Sequence, residues 1–158
     1  DAIVRTESCV QSMTNLGLKV ERLESDMANW MRSQAESKMK QWLDIHGESI
    51  EAVLANNDDM ALGAIDALKR AEIPSRDWPI VVGIDGTAPG RKAVLTGEML
   101  GTVYNDARGQ GRATIDLAFA LATKGEMPSE LQGKYIRLPY RIVTIDNVLR
   151  FEEMAGGD

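Results

Sequence analysis

The stretch "IEAVLANNDDMALGAIDALKRAEIPSRDWPIVVGI", residues 50 to 84, decides the fold. It opens on an apolar run, residues 50–55, passes through four compact polar residues, and then places Ala61, Ala64, Ile65 and Leu68 at helical spacing. Pro74 breaks that pattern, and a second apolar run follows at residues 79–84. Strand, helix and strand in this order predict parallel neighbours, because parallel strands need a crossover connection. The continuous apolar character of "IVVGI" fits a strand of a parallel sheet better than one with a wet face.

The alternation extends in both directions. Downstream, Pro89 suits the first turn of a helix that Gly97 ends, followed by a strand at 99–104, a helix at 106–122, a strand at 135–138 and a helical turn at 148–154. Upstream, Ile3, Val10 and Met13 mark a helix closed by Gly17, and "LKVERL" at 18–23 reads as a short strand. Met31, Ala35, Met39 and Trp42 then give an amphipathic helix that stops near Gly47. The expected fold class is therefore α/β, doubly wound, with a mainly parallel sheet.

Composition narrows the function. The chain has 158 residues, 44% hydrophobic and 27% charged, which is ordinary for a globular protein. A net charge of -6 with scattered Lys and Arg argues against a nucleic-acid partner. No apolar run approaches the ~20 residues of a membrane span, so direct membrane insertion is not expected. Cys9 is the only cysteine and reads as a small packed side chain, and His46 is the only histidine, near a helix end. "GIDGTAPG" matches neither nucleotide-binding fingerprint, and no catalytic constellation can be assembled. An enzyme is not expected, and neither a cofactor nor a metal is called for.

The polar residues fall at strand ends. In open parallel sheets ligands bind outside the carboxyl ends of the strands, where this chain carries Asn56 and Asn57, then Asp85, then Asn105 and Asp106. Amides and carboxylates without a strong nucleophile suit a ligand covered in hydroxyl groups, such as a sugar. The competing reading is helix capping, since Asn and Asp are preferred N-cap residues at such turns. Adjacent acids at Asp58 and Asp59 are explained by the helix dipole more simply than by Mg²⁺.

Four segments carry a resemblance: "IEAVLANNDDMALGAIDALK", "VVGIDG", "GEMLGTVYNDARGQGRATIDLA" and "IRLPYRIVTIDN". Together with the opening "DAIVRT" and the aromatic in "DMANWMRSQAESKMKQW", they resemble the galactose/glucose-binding group of type I periplasmic binding proteins. The resemblance implies a hinged two-domain receptor that closes on a monosaccharide, galactose, glucose or a related pyranose, and delivers it to the membrane component of an ABC transporter. It implies a periplasmic protein or a cell-surface lipoprotein. Asp1 and Arg5 match the family's D-x-x-x-R sugar contacts, Trp30 its stacking tryptophan, and Asn57, Asp85 and Asn105 its other polar contacts here. Residues four apart share a helix face, so Asp1 and Arg5 can accept from and donate to one ligand. Trp30 offers a flat apolar surface to a pyranose, with core packing as its alternative. Glu51 matches a carboxylate of the family's calcium site, but one carboxylate is far short of the six to eight oxygens Ca²⁺ takes.

Family members are about twice as long, so the chain resembles a C-terminal fragment whose partner is the missing N-terminal half. The resemblance implies that residues 1–104 form most of the C-terminal sugar-binding lobe. Residues 105–139 would belong to the N-terminal lobe after a hinge crossing, and 140–158 would return to the C-terminal lobe. The alternative function is the ligand-binding core of a LacI-type transcription regulator, which shares the fold and carries a DNA-binding module upstream.

Overall fold

The computed structural model of the chain describes residues 2–123 and 131–151. Four strands form one sheet in the order β1-β2-β3-β4: β1 Ala52–Leu54, β2 Ile80–Val82, β3 Gly101–Tyr104 and β4 Arg141–Thr144. The first three are parallel, with Val53 beside Val81 and Val82 beside Gly101, and β4 is antiparallel to β3, with Thr102 beside Val143. The longer helices among the described residues are α1 Ala2–Asn15, α2 Arg32–His46, α3 Asp58–Arg70, α4 Ala88–Leu95 and α5 Ala107–Thr123. The expected mainly parallel α/β arrangement is the one observed.

Local chemistry sets the helix ends. Asn57 caps α3 by accepting from the Met60 backbone N–H at 2.9 Å, Asp58 and Asp59 occupy its first turn, and Lys69 and Arg70 its last. Thr87 caps α4 through Gly90, with Pro89 in the first turn. Gly47, at φ 52°, closes α2 in a conformation that glycine adopts without strain. Strand order follows chain order, so the crossovers α3 and α4 lie side by side on one face of the sheet. Between them and the sheet are Ile65, Leu68, Val81, Val94, Met99 and Val143, all essentially inaccessible. α2 adds Met39 from outside α3, with Trp42 packed against the same cluster. Fully burying an Ile or Leu of this kind contributes about 1.5–3 kcal/mol.

Two expected strands are corrected. Residues 18–23 form no strand: Leu18 and Val20 alternate as a strand would but are exposed, and no described strand lies alongside to complete a ladder. Arg22 within it pairs with Glu7, and just beyond it Glu24 pairs with His46 and Asp26 with Lys38. Residues 135–138 are not the last strand either, since Tyr135 makes only an isolated bridge to Gln132. The edge of β3 is taken by Arg141–Thr144, where Val143 enters the core and Asn147 bonds the Thr144 N–H and the Ile142 carbonyl. The helical turn expected at 148–154 is helical over residues 148–151, and the remainder lies outside the described residues.

Asp58 is fully buried at the start of α3 and joins three elements. Its carboxylate accepts from the Thr87 backbone N–H (2.7 Å), the Thr87 hydroxyl (3.0 Å) and the Thr102 hydroxyl (2.6 Å). Burial pushes its carboxyl above the ordinary carboxylate value, and the bonds from Thr102 and Thr87 pull it back toward the charged form. A Cβ at Gly83 or Gly90 would run into this carboxylate, so both positions must be glycine for it to fit. Asp58→Ala strands these buried donors, and the expected loss is roughly 2–4 kcal/mol of unfolding free energy. Urea denaturation measures it.

Candidate functional site

β2 and β3 both end at the same edge of the sheet. Just past β2, Asp85 bridges to Tyr104, donating its N–H to the Val103 carbonyl (2.8 Å) and accepting from the Asn105 N–H (3.0 Å). These pairings bring Asp85 and Asn105 together at the carboxyl ends of neighbouring strands. Arg5 reaches the same edge from α1: its Nη1 donates to the Asn56 carbonyl at 2.7 Å and lies 3.9 Å from Asp85 Oδ1. The guanidinium also lies over the Trp30 ring, 5.7 Å from its centroid. Trp30 is 44% exposed and packs into no core, whereas Trp42 does.

Asn57 meets the group from beneath. Its amide donates to the Trp30 carbonyl at 3.2 Å while its oxygen caps α3. Arg5, Trp30, Asn57, Asp85 and Asn105 therefore form one continuous group, and Asp1 lies outside the described residues. Asn56, at the same strand end, anchors α1: its side chain donates to the Thr6 hydroxyl (2.9 Å) and the Ala2 carbonyl (3.4 Å). Asp106 accepts from the Gly109 N–H at the start of α5, a capping contact. The capping reading thus describes Asn57 and Asp106, and Asp85 escapes it.

Backbone strain gathers here. Only four non-glycine residues among those described have positive φ, and Trp30 (64°) and Asp85 (117°) are two of them. Such conformations cost on the order of 1–3 kcal/mol and persist where surrounding structure over-determines them. Asp85 is about one-third exposed, with burial pushing its carboxyl above the ordinary value and the Arg5 charge drawing it down. A depression of about 520 Å³ beside Trp30 is walled by Arg32, Glu36, Asp59 and Asp66. It shares only Trp30 with the strand-end group, and the paired Arg32 and Asp66 give it the character of a surface ion pair.

Thr102 and Arg91 went unnoticed in the sequence. Thr102 looks like any β-branched strand residue and Arg91 like a surface residue of a short helix, yet both are buried beneath Asp85. No signal in a single sequence separates them from their neighbours. Among the described residues, no three of His, Cys, Asp and Glu come together to hold a metal.

The sequence matches the periplasmic binding protein domain family over residues 1–127. The chain belongs to this family. A putative rhizopine-binding protein of Rhizobium meliloti is 40% identical over 133 residues, covering 84% of this chain and 41% of that protein. The D-galactose/methyl-galactoside binding periplasmic protein of Haemophilus influenzae is 34% identical over 154 residues, covering 94% and 45%. Among solved structures, an ABC transporter solute binding protein from Bacillus halodurans with bound myo-inositol is 38% identical, with a TM-score of 0.82 over 96% of this chain and 49% of that one. This periplasmic binding protein chain has the type I fold and spans less than half the length of each of these relatives.

In the periplasmic binding protein chain the Arg5 charge holds the Asp85 carboxyl down against burial. Arg5→Gln removes that pull, so Asp85 should titrate at a higher pH than in the wild type. Carboxyl-carbon NMR titration of both proteins checks this, and an unchanged or lower value contradicts the pairing.

Proposed function

We propose that the chain is the ligand-binding part of an extracytoplasmic receptor that captures a monosaccharide or a polyol of similar size and delivers it to an ABC transporter. One observation carries this reading: an exposed tryptophan face, a guanidinium and a carboxylate converge at the carboxyl edge of a parallel sheet. A sugar presents an apolar C–H face ringed by hydroxyls that donate and accept, and these groups answer both. Asp85 accepts, Arg5 donates, Asn105 does either, and Trp30 stacks. Asn57 retains one amide hydrogen for a ligand after donating to Trp30.

The receptor is proposed to be two-lobed, with residues 1–104 and 140–158 in one lobe and 105–139 in the other. α5 has no buried residue among those described and exposes Ile115, Phe119 and Leu121, which supports its packing on a second lobe. Galactose, glucose or a related pyranose is the first ligand reading. A cyclitol is the second, favoured by the myo-inositol in the Bacillus halodurans structure, which is closer in sequence than the galactoside-binding relative. Both are six-membered rings bearing hydroxyls, with one oxygen in the pyranose ring and none in the cyclitol ring. The regulator alternative has less support, since the relatives named above are all binding proteins.

The test is calorimetric titration of the complete receptor with D-galactose, D-glucose, D-ribose and myo-inositol. Asp85→Ala should weaken binding by several-fold to about a hundredfold and change the order of preference, as loss of a buried charged hydrogen bond does. Trp30→Ala should weaken all of the ligands that bind while keeping their order. Wild-type binding by Trp30→Ala with a lowered melting temperature makes the tryptophan a packing residue. Undiminished binding by Asp85→Ala removes the site from this edge.

A further inference from the structure

Four polar or charged side chains are buried among the described residues: Asn57, Asp58, Arg91 and Thr102. Each acts, directly or through one intermediary, on a positive-φ residue of the candidate site. Asn57 bonds the Trp30 carbonyl. The other three hold the turn formed by Asp85, Gly86 and Thr87. Arg91 donates to the Gly86 carbonyl at 2.6 Å, the Gly86 N–H donates to the Thr102 hydroxyl at 3.2 Å, and that hydroxyl donates to Asp58. Asp58 in turn takes both the N–H and the hydroxyl of Thr87. Asp85 itself is pinned to β3 on both its N–H and its carbonyl. Gly86, at φ 66°, lies against Tyr104, where a Cβ would come within 2.8 Å of the Tyr104 Cα.

We infer that Thr102, Arg91 and Asp58 are positioning residues for ligand recognition, holding the Asp85 turn in its strained conformation so that the carboxylate meets the ligand without rearrangement. This rests on the reading of Asp85 as a ligand contact. A carboxylate free to swing would lose orientation on every unbound cycle and regain it at a cost in affinity. Thr102 is the cleanest handle, because its hydroxyl joins Gly86 to Asp58 while its side chain stays buried away from the exposed edge.

The experiment uses the complete receptor and the four probes named above. Thr102→Val keeps the shape and removes the hydroxyl, and should weaken the best-bound probe on the order of tenfold, with the altered preference order of Asp85→Ala. Thr102→Ser keeps the hydroxyl and should stay within about threefold of wild type. In an Asp85→Ala background, Thr102→Val should add no more than about twofold, since both changes act through one carboxylate. A full extra loss in that background, or a lowered melting temperature with unchanged affinity, overturns the inference while leaving Asp85 as a contact. Undiminished binding by Asp85→Ala, or no binding of any probe by wild type, overturns the underlying reading and the inference with it. A measurement free of substitution stands beside these: the Gly86 and Thr87 amides should exchange as slowly as those of the core strands. Fast exchange of both contradicts a rigid turn.

Discussion

The buried carboxylate of Asp58 is the constraint on which the rest of this structure depends. It starts α3, takes two bonds from the turn that starts α4, and takes a third from the middle of β3. A lone buried charge is costly, but one bonded by three donors at once is compensated. The consequence is geometric. Once Asp58 is in place, the β2–α4 turn can occupy one position, and Gly83 and Gly90 must be glycine to leave room for the carboxylate. An acid that looks like a helix-dipole residue in the sequence is the joint of three elements in the fold.

That joint lies directly beneath strained backbone. Asp85 at φ 117° precedes Gly86 at φ 66°, and the bonds around the turn come from β3, α3 and α4. The same logic recurs at Trp30, where the Asn57 amide holds the carbonyl while its oxygen caps α3. One asparagine thus serves secondary structure and site geometry together. Capping and a place in the candidate site, which compete as explanations of polar strand ends, coexist at Asn57. A residue that caps a helix with one atom fixes the backbone of Trp30, a proposed ligand contact, with another.

The fold was legible where the pattern was local. The 50–84 stretch declared strand, helix and strand through periodicity, with Pro74 punctuating it and Gly47 and Gly97 marking helix ends on either side. Legibility failed where pairing decided the outcome. Residues 18–23 have strand alternation but no described neighbour, while 141–144 became a strand because β3 offered an edge and Val143 a place in the core. The strand-end polar residues could be picked out, because ends of apolar runs are visible in one dimension, whereas Arg5 and Trp30 stood out only through the family resemblance. Thr102 and Arg91 could not, since their meaning lies in contacts with residues 16 and 5 positions away.

Tyr104 links the Asp85 turn to the β3–β4 ladder. It stands where β3 ends, packs against Gly86 on one side, and pairs with Arg141 in the β3–β4 ladder. The Arg141 guanidinium lies 5.1 Å from the Tyr104 ring centroid and 5.3 Å from that of Phe151, and the two rings are tilted 5.3 Å apart. Such stacked cation and aromatic contacts each contribute about 0.5–2 kcal/mol, enough together to make the end of β3 and the start of β4 one packed unit. Under the two-lobe reading, both chain crossings leave the lobe from this unit. Rotation between lobes must then begin beyond Tyr104 and before Arg141, because bending at either would break the stack and disturb the turn that carries Asp85. On that reading the Asp85 turn and the base of the proposed hinge would move as a single body.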